Sequence, residues 1–366
     1  MSYKITVDFK KGGRKSLPTI APYPKEVNWD NSVPVYKTAA GVAYVRTPDE
    51  CFENLPDYPF APNYLEIDGL RMHYLDEGPK DGQVVLLLHG QPAWSYLYRK
   101  MIKGLTENGY RCIAPDMIGM GKSDKPIKEA YHSYYKHTSN ALYLIQALGL
   151  KDLTMFGQDW GSLIGSRLVG ENSDLFARMI LANGELPLFT DETNPFYLPN
   201  PVEIDLNIED FETATSAYPM VKMPEWFQVW ILYCMTNPNL FVGPVMQSFT
   251  EIELTAGEVA AYAAPFPSFN YMTGPRTLPS MFLGIRGQTR KAWENLKKFE
   301  KPFLSLIGLK DDLLGLPVVQ NKWINKVPGA KGQHHEQFEN AGHFIQEDIG
   351  EIMADRVHQF IVKNPF

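Results

Sequence analysis

Short apolar runs alternate along the chain with segments whose apolar residues recur at helical spacing. A continuous run such as Val84–Leu88 is typical of a strand that is buried on both faces of a parallel sheet. Runs of this kind predict strands at residues 84–88, 112–115, 153–156, 178–182 and 303–307. Helical spacing predicts helices over residues 141–148, from about residue 162, and over residues 349–361. Alternating strands and helices predict an α/β fold, with a mostly parallel central sheet flanked by helices.

The alternation stops between residues 186 and 298, in a segment rich in Pro, Trp, Phe and Met. We interpret residues 186–298 as an inserted, mostly helical cap on a core formed by residues 44–185 and 299–366. Residues 1–43 stand apart as an N-terminal extension, because they carry several prolines and basic residues and show little periodicity. We expect this extension to be a solvated arm that lies across a surface; a specific binding element is the alternative.

The composition is that of a globular protein, since 44% of the 366 residues are hydrophobic and 21% are charged. With 35 Lys and Arg against 42 Asp and Glu, the net charge of −7 argues against a nucleic-acid partner, which needs clustered positive charge. No stretch reaches the roughly 18 apolar residues of a membrane span, and the basic N-terminus lacks the apolar stretch of a secretory signal. Three separated cysteines, Cys51, Cys112 and Cys234, are expected to be reduced thiols. These features together predict a cytoplasmic enzyme.

The segment Gly157-Gln158-Asp159-Trp160-Gly161 lies between a predicted strand and a predicted helix. Its spacing is that of a nucleophile elbow, a tight strand-to-helix turn that lifts its central side chain above the sheet. Esterases carry Ser at the centre of this turn, whereas this chain carries Asp159. The alternative interpretation of Asp159 is a side chain that caps the following helix.

An aspartate at the elbow implies displacement at a saturated carbon, because a carboxylate is ionised at neutral pH and needs no base to attack. The resulting ester must then be hydrolysed by water, a step that needs a base and an oxyanion hole. His343, just before the final helix, stands last in chain order, where such folds place the base; a structural role is the alternative. Asp311 follows the strand at 303–307 and is the candidate to orient His343. Its rivals are Asp312 and Glu185.

The oxyanion hole is predicted from the backbone of two residues. Gln91, in the segment HGQP, follows the strand at 84–88. Trp160 follows Asp159. In this architecture the backbone N–H groups at these two positions bind the oxyanion. His89 itself is expected to have a structural hydrogen-bonding role.

Several sequence segments resemble those of one known family. They are LLLHGQPAWSYLYRKMI, IAPDMIGMGKSDKP, FGQDWGSLIG, AYAAPFP, GLKDDLLG and NAGHFIQE. From about Val45 to the C-terminus, the chain resembles the haloalkane dehalogenases of the α/β-hydrolase fold. It is similar to the subgroup that has its triad acid after the late strand and two halide-binding tryptophans. The resemblance implies Asp159 as the nucleophile, His343 as the base and Asp311 as the orienting acid.

The resemblance also implies two halide-binding residues. Trp160 is the first, with its indole N–H aimed at the leaving halide. The second is a tryptophan of the cap, for which Trp230 is the best match and Trp226, one helical turn away, is the alternative. The chain departs from the family at Gln91, where the nearest relatives carry Glu and another subgroup carries Asn. Because only the backbone N–H of this residue is needed, the departure bears on side-chain hydrogen bonds.

The resemblance therefore predicts a hydrolase that converts a small haloalkane and water to an alcohol, a halide ion and a proton, with no metal or organic cofactor. Epoxide hydrolases share the Asp nucleophile and are the main alternative. They donate to the epoxide oxygen from two cap tyrosines, and Tyr218, Tyr233 and Tyr271 are available here. A non-catalytic receptor on the same fold is the third possibility, but it would lack a member of the triad. The sequence itself predicts no oligomeric state.

Overall fold

A mostly parallel sheet lies at the centre of the protein, whose computed structural model describes residues 29–187, 225–236, 240–282 and 285–366. The strands are β1 (Tyr36–Lys37), β2 (Ala43–Val45), β3 (Asn63–Ile67), β4 (Leu70–Glu77), β5 (Val84–Leu88), β6 (Arg111–Pro115), β7 (Lys125–Pro126), β8 (Leu153–Gly157), β9 (Phe176–Ala182), β10 (Phe303–Gly308) and β11 (Glu336–Phe338). Within the described ranges, eight strands form the central sheet in the order β11-β10-β9-β8-β5-β6-β4-β3. Neighbours from β11 to β6 are parallel, and β4 is antiparallel to both β6 and β3.

The predicted α/β fold with a mostly parallel sheet is confirmed. Each of the five predicted strands is present, with ends that lie within two residues of those expected. The hairpin of β3 and β4 was not predicted. Its strands are joined by Asp68 and Gly69, which have φ angles of 52° and 80°. Two successive positive φ angles are typical of the tight turns that suit the right-handed twist of a hairpin.

Among the helices of the described residues, some flank the sheet and others lie in the predicted cap. They are α1 (Arg99–Glu107), α2 (Tyr134–Ala147), α3 (Trp160–Glu171), α4 (Glu225–Thr236), α5 (Val242–Ser248), α6 (Ala256–Ala263), α7 (Thr273–Met281), α8 (Arg290–Leu296), α9 (Pro317–Lys326), α10 (Ile345–Asp348) and α11 (Gly350–Lys363). Helix α1 packs against α11, and α3 packs against α2. Helix α2 begins earlier than the apolar spacing predicts, because the Ser133 hydroxyl accepts from the Lys136 N–H (3.2 Å) and caps the helix there.

The predicted cap is helical in the parts that the structure describes, where α4 to α8 occupy the interruption of the sheet. Residues 188–224 of this segment lie outside the described residues. Helix α8, however, packs against α3 of the core. The Trp293 indole N–H also donates to the Leu186 carbonyl at 3.0 Å. The division between core and cap at residues 185 and 298 stays a prediction. Helix α8, which falls inside the predicted cap, packs with the core.

The described end of the N-terminal extension is attached to the rest of the protein; residues 1–28 lie outside the described residues. Asp30 and Asn270 exchange two hydrogen bonds of 3.1 and 2.9 Å. Strand β1 pairs with β2, which pairs in turn with β7, so that the extension ends in a small antiparallel sheet. None of the described helices is both long and apolar enough to cross a membrane.

A buried cluster of charges joins the core to the cap. Arg99, the first residue of α1, contacts Glu347 of α10 at 2.6 Å and Glu258 of α6 at 2.5 Å. The Tyr262 hydroxyl of α6 donates to the same Glu347. The side chains of Arg99 and Glu347 are fully buried, so their charges are tolerated through these pairings, to which the Lys100 ammonium adds a contact with Glu347 at 2.8 Å.

We expect Arg99→Met to lower the free energy of unfolding by about 3–5 kcal/mol, because it leaves the buried Glu347 carboxylate without its main partner. Urea unfolding followed by circular dichroism measures the change. Lys80→Met is the control, since the Lys80 side chain is 67% exposed in its ion pair with Asp76 and should contribute less than about 1 kcal/mol. Equal, small losses in both variants would contradict the assigned role of the cluster.

Candidate active site

The predicted reactive residues meet at one edge of the sheet. Asp159, Asp311, His343 and Gln91 follow the strands β8, β10, β11 and β5 respectively. Carboxyl ends of parallel strands lie side by side, and ligands bind in the crevice outside them. All four residues, together with Trp230 of α4, line one cavity.

The turn that carries Asp159 has the shape of a nucleophile elbow. Asp159 has a φ of +50°, and α3 begins at the next residue. A Cβ atom on Gly161 would lie 1.9 Å from the Leu88 carbonyl oxygen, and one on Gly90 would lie 2.3 Å from the Asp159 Cβ. These close approaches require glycine at both positions. The Asp159 side chain makes no capping hydrogen bond to α3; its Oδ1 accepts from the Gln91 backbone N–H at 2.7 Å.

His343 lies between two carboxylates. Its Nδ1 donates to Asp311 Oδ2 at 2.7 Å, and its Nε2 lies 3.6 Å from Asp159 Oδ2. Burial disfavours the imidazolium, but the negative charges of Asp311 and Asp159 outweigh burial and raise the pKa of His343 to about 10. Burial likewise opposes ionisation of Asp311, yet His343 and the hydrogen bonds that it accepts lower its pKa to about 2. The imidazole is thus held in a fixed orientation by a carboxylate that stays ionised.

The structure separates the three candidates for the orienting acid. Asp311 bonds to His343, and its other oxygen accepts from the backbone N–H groups of Leu313 and Leu314 at 3.0 and 3.1 Å. Asp312 is exposed. Glu185 is buried and bonds to the Lys322 ammonium. Of the three, Asp311 is the one in contact with the histidine.

Asn183, which directly follows β9, was missed by the reasoning from sequence. Its side-chain Nδ2 donates to Asp311 Oδ2 at 2.8 Å, and its Oδ1 accepts from the Gly308 N–H at 2.7 Å. Its backbone carbonyl accepts from the Asp159 N–H at 3.2 Å. One residue therefore connects the acid to the elbow. Like Asp311, Asn183 stands at the carboxyl end of a predicted strand, but this local signal does not indicate which residues its side chain contacts.

The loop that carries Gln91 is fixed on both sides. The His89 ring donates from Nδ1 to the Gly90 carbonyl at 2.8 Å and accepts at Nε2 from the Met117 N–H at 3.1 Å. Burial lowers the pKa of His89, in keeping with a neutral ring that serves as a structural support. The Gln91 side chain donates from Nε2 to the Pro275 carbonyl of α7 at 2.8 Å. A glutamate at this position would lack that donor when ionised.

Apart from Gln91, Asp159, Asp311 and His343, the described residues that line the cavity are apolar. The apolar lining residues, besides Trp230, are Pro92, Phe227, Val245, Phe249, Leu313 and Phe344. Trp230 is 8% exposed, and its ring stacks on Tyr233 with centroids 5.6 Å apart. Trp160 is buried at the start of α3 and is not one of the lining residues. The side chain of Trp226 lies outside the described part of the chain.

Residues 83–348 match the alpha/beta hydrolase fold family. The chain is also 40% identical to the haloalkane dehalogenase of Mycolicibacterium paratuberculosis, over 86% of this chain and 96% of the relative. The chain belongs to the haloalkane dehalogenase family. The haloalkane dehalogenase of Psychrobacter cryohalolentis is likewise 40% identical, over 88% of this chain and 99% of that protein. Both the predicted family and the predicted α/β-hydrolase fold are confirmed.

Solved structures place this dehalogenase in the same group. The tetrameric haloalkane dehalogenase DpaA from Paraglaciecola agarilytica superposes with a TM-score of 0.70 at 29% identity, over 86% of this chain and 97% of DpaA. The matches cover almost the whole length of each of these relatives.

Proposed function

We propose that this dehalogenase hydrolyses the carbon–halogen bond of small haloalkanes through a covalent ester on Asp159. The observation that carries the proposal is the pair of contacts at Asp159. One of its oxygens accepts from the Gln91 N–H, and the other faces His343 at the wall of an apolar cavity. A carboxylate in this setting attacks a saturated carbon without prior activation.

In the first step, an Asp159 oxygen attacks the halogen-bearing carbon from the side opposite the halogen. A carbon–oxygen bond forms, the carbon–halogen bond breaks, and the halide leaves with the electron pair. No proton is transferred, so indole N–H donors are sufficient to stabilise the developing charge. We assign this role to Trp160 and Trp230, of which Trp230 lines the cavity.

In the second step, His343 accepts a proton from water as the water oxygen attacks the carbonyl carbon of the Asp159 ester. The negative charge that develops on the former carbonyl oxygen is bound by the backbone N–H groups of Gln91 and Trp160. Asp311 stabilises the imidazolium that forms. Collapse of the intermediate breaks the bond to the alkyl oxygen, which takes up a proton as the alcohol leaves, and Asp159 is restored as a carboxylate.

The cap favours this reaction over epoxide opening, which produces an alkoxide and needs an acidic O–H group beside it. Tyr233 stacks on Trp230, Tyr271 is buried, and neither lines the cavity. Tyr218 lies outside the described residues. The wall offers a tryptophan where an epoxide hydrolase needs tyrosines. The arrangement also argues against a non-catalytic receptor, because Asp159, His343 and Asp311, the proposed nucleophile, base and orienting acid, lie together here.

The proposed chemistry uses only the haloalkane, water and side chains of the chain itself, with no metal or organic cofactor. Cys51, Cys112 and Cys234 are all unpaired in the structure. Unpaired cysteines suit a reducing compartment, which supports the proposal that the enzyme acts in the cytoplasm.

Wild-type enzyme should release bromide from 1,2-dibromoethane and leave styrene oxide unchanged. Bromide is measured by ion chromatography and the diol of styrene oxide by liquid chromatography, at equal substrate concentrations. Asp159→Asn is the control and should be inactive toward both compounds, because an amide is a poor nucleophile. Turnover of the epoxide with no release of bromide would overturn the choice between the two activities.

His343→Phe should form the alkyl-enzyme and then stop, because alkylation needs no base whereas hydrolysis does. Quenched samples should show one equivalent of bromide per enzyme, and intact-protein mass spectrometry should show the matching adduct. Repeated turnover by this variant would contradict the two-step mechanism.

Trp230→Phe should slow the release of bromide about 10- to 100-fold, the loss expected for one hydrogen bond to a charged leaving group. Trp226→Phe is the matched variant, one helical turn away, and should stay near the wild-type rate. Steady-state rates with 1,2-dibromoethane compare the two. The opposite ranking would transfer the halide role to Trp226.

A further inference from the structure

Gln158, the residue before Asp159, contacts the base directly and has no part in the mechanism so far. Its side chain is fully buried. Its amide Nε2 lies 3.1 Å from His343 Nε2 and donates to the His343 carbonyl at 3.0 Å. Within the described residues, its Oε1 is buried with no hydrogen-bond partner. An unpartnered buried oxygen is unfavourable, so the two contacts to His343 must hold the amide in place.

The orientation of this amide follows from its partners. If the amide were turned over, Oε1 would face the His343 carbonyl oxygen, and two acceptors would meet. The NH₂ group must therefore point toward His343, with one hydrogen on the carbonyl and the other directed at the ring Nε2. His343 Nδ1 already donates to Asp311. In the neutral ring, Nε2 therefore carries the lone pair, and the amide donates to it.

The charges around His343 change during the proposed reaction. Among the described residues, the carboxylates that face the ring are Asp311 at Nδ1 and Asp159 at Nε2. Asp348 and Glu251 face the backbone of the same loop, at Gly342. In the free enzyme the two ring-facing carboxylates favour the imidazolium. When Asp159 becomes an ester its negative charge is lost, and the Gln158 amide remains beside Nε2.

We propose that Gln158 is a positioning residue for the hydrolytic step, whose amide N–H stabilises the neutral form of His343 once Asp159 has been alkylated. The proposal rests on the covalent mechanism above. An N–H donor stabilises a ring nitrogen that carries a lone pair and repels one that carries a proton. Gln158 therefore acts against Asp311, which continues to favour the imidazolium. The ring is then neutral when water arrives, and water displaces the amide hydrogen from the Nε2 lone pair as it transfers its proton.

Gln158→Met tests this role, since methionine has a similar length and no N–H donor. The decay of the alkyl-enzyme formed from 1,2-dibromoethane is followed by rapid quench and mass spectrometry from pH 5 to pH 11. In wild-type enzyme the rate should rise with pH as His343 becomes neutral. Without the amide the neutral ring is less favoured. The midpoint of the pH–rate profile should therefore rise by about one pH unit, the effect of one hydrogen bond.

Gln158→Glu is the second variant and guards against misfolding of the first. A carboxylate at this place accepts from the imidazolium, so its midpoint should rise further than that of Gln158→Met. Gln346→Met is the matched control. Gln346 is also fully buried, lies three residues after His343 and contacts the Tyr98 hydroxyl at 3.4 Å. Its midpoint should equal that of wild type.

An unchanged midpoint in both Gln158 variants, with a rate that falls equally at all pH values, would mean that the residue only supports the structure, and the proposal would be overturned. A midpoint that moves equally in Gln346→Met would overturn it as well. If wild-type enzyme turns over the substrate without forming an alkyl-enzyme, the covalent mechanism itself is wrong and the role of Gln158 falls with it. The absence of an alkyl-enzyme can be told apart from the other outcomes, because it is observed in the wild-type enzyme alone.

Discussion

The turn at Asp159 is the constraint on which the rest of the site depends. Its φ of +50° is a conformation that costs a non-glycine residue on the order of 1–3 kcal/mol, and neighbouring contacts must hold it. Gly161 packs directly on the Leu88 carbonyl. The Asp159 N–H donates to the Asn183 carbonyl at 3.2 Å, and the Ser162 hydroxyl donates to the Asp159 carbonyl at 2.5 Å. Strands β5, β8 and β9 thus hold the turn together, and the carboxylate lines the cavity and makes no capping hydrogen bond to α3.

Placing the carboxylate there also couples the charge of the nucleophile to that of the base. Asp159 and Asp311 face opposite nitrogens of His343, and both favour the imidazolium. In the proposed mechanism Asp159 loses its charge when it becomes an ester, so the environment of His343 changes at the moment when a base is needed. The protonation of His343 is therefore linked to the chemical state of Asp159. Under the proposed mechanism, one fixed electrostatic environment does not have to suit both steps. Gln158, the neighbour of Asp159 in sequence, contacts His343 and lies where it can act on this balance.

The reactive residues could be predicted from the sequence because each lies in a short motif. Asp159 follows a predicted strand, whereas His343 was placed by its position last in chain order, just before the final helix, and strand β11 before it was not predicted. The supporting residues could not be predicted in the same way. Gln158 meets its partner 185 residues further along the chain, and Asn183 meets its partner 128 residues away. Such pairs depend on the tertiary packing of side chains, which no local pattern records. The Asp68–Gly69 turn is different, since its dipeptide is a local hairpin signal that the apolar runs on either side obscured.

The predicted cap is hydrogen-bonded to the loop that carries His343. This bonding limits how far the backbones of the cap and of the loop can shift independently. The Phe249 carbonyl, at the end of α5, accepts from the His343 N–H at 3.1 Å. Asp348 accepts from the Gly342 N–H with one oxygen and from the Glu251 N–H with the other, each at 2.7 Å. Phe249 also lines the cavity. A backbone shift in this part of the cap therefore changes the shape of the cavity and the position of the imidazole together. Substitutions that enlarge the cavity without disturbing His343 must come from cap side chains whose backbone is not bonded to the histidine loop. Phe227 of α4 stands on such a helix within the described contacts.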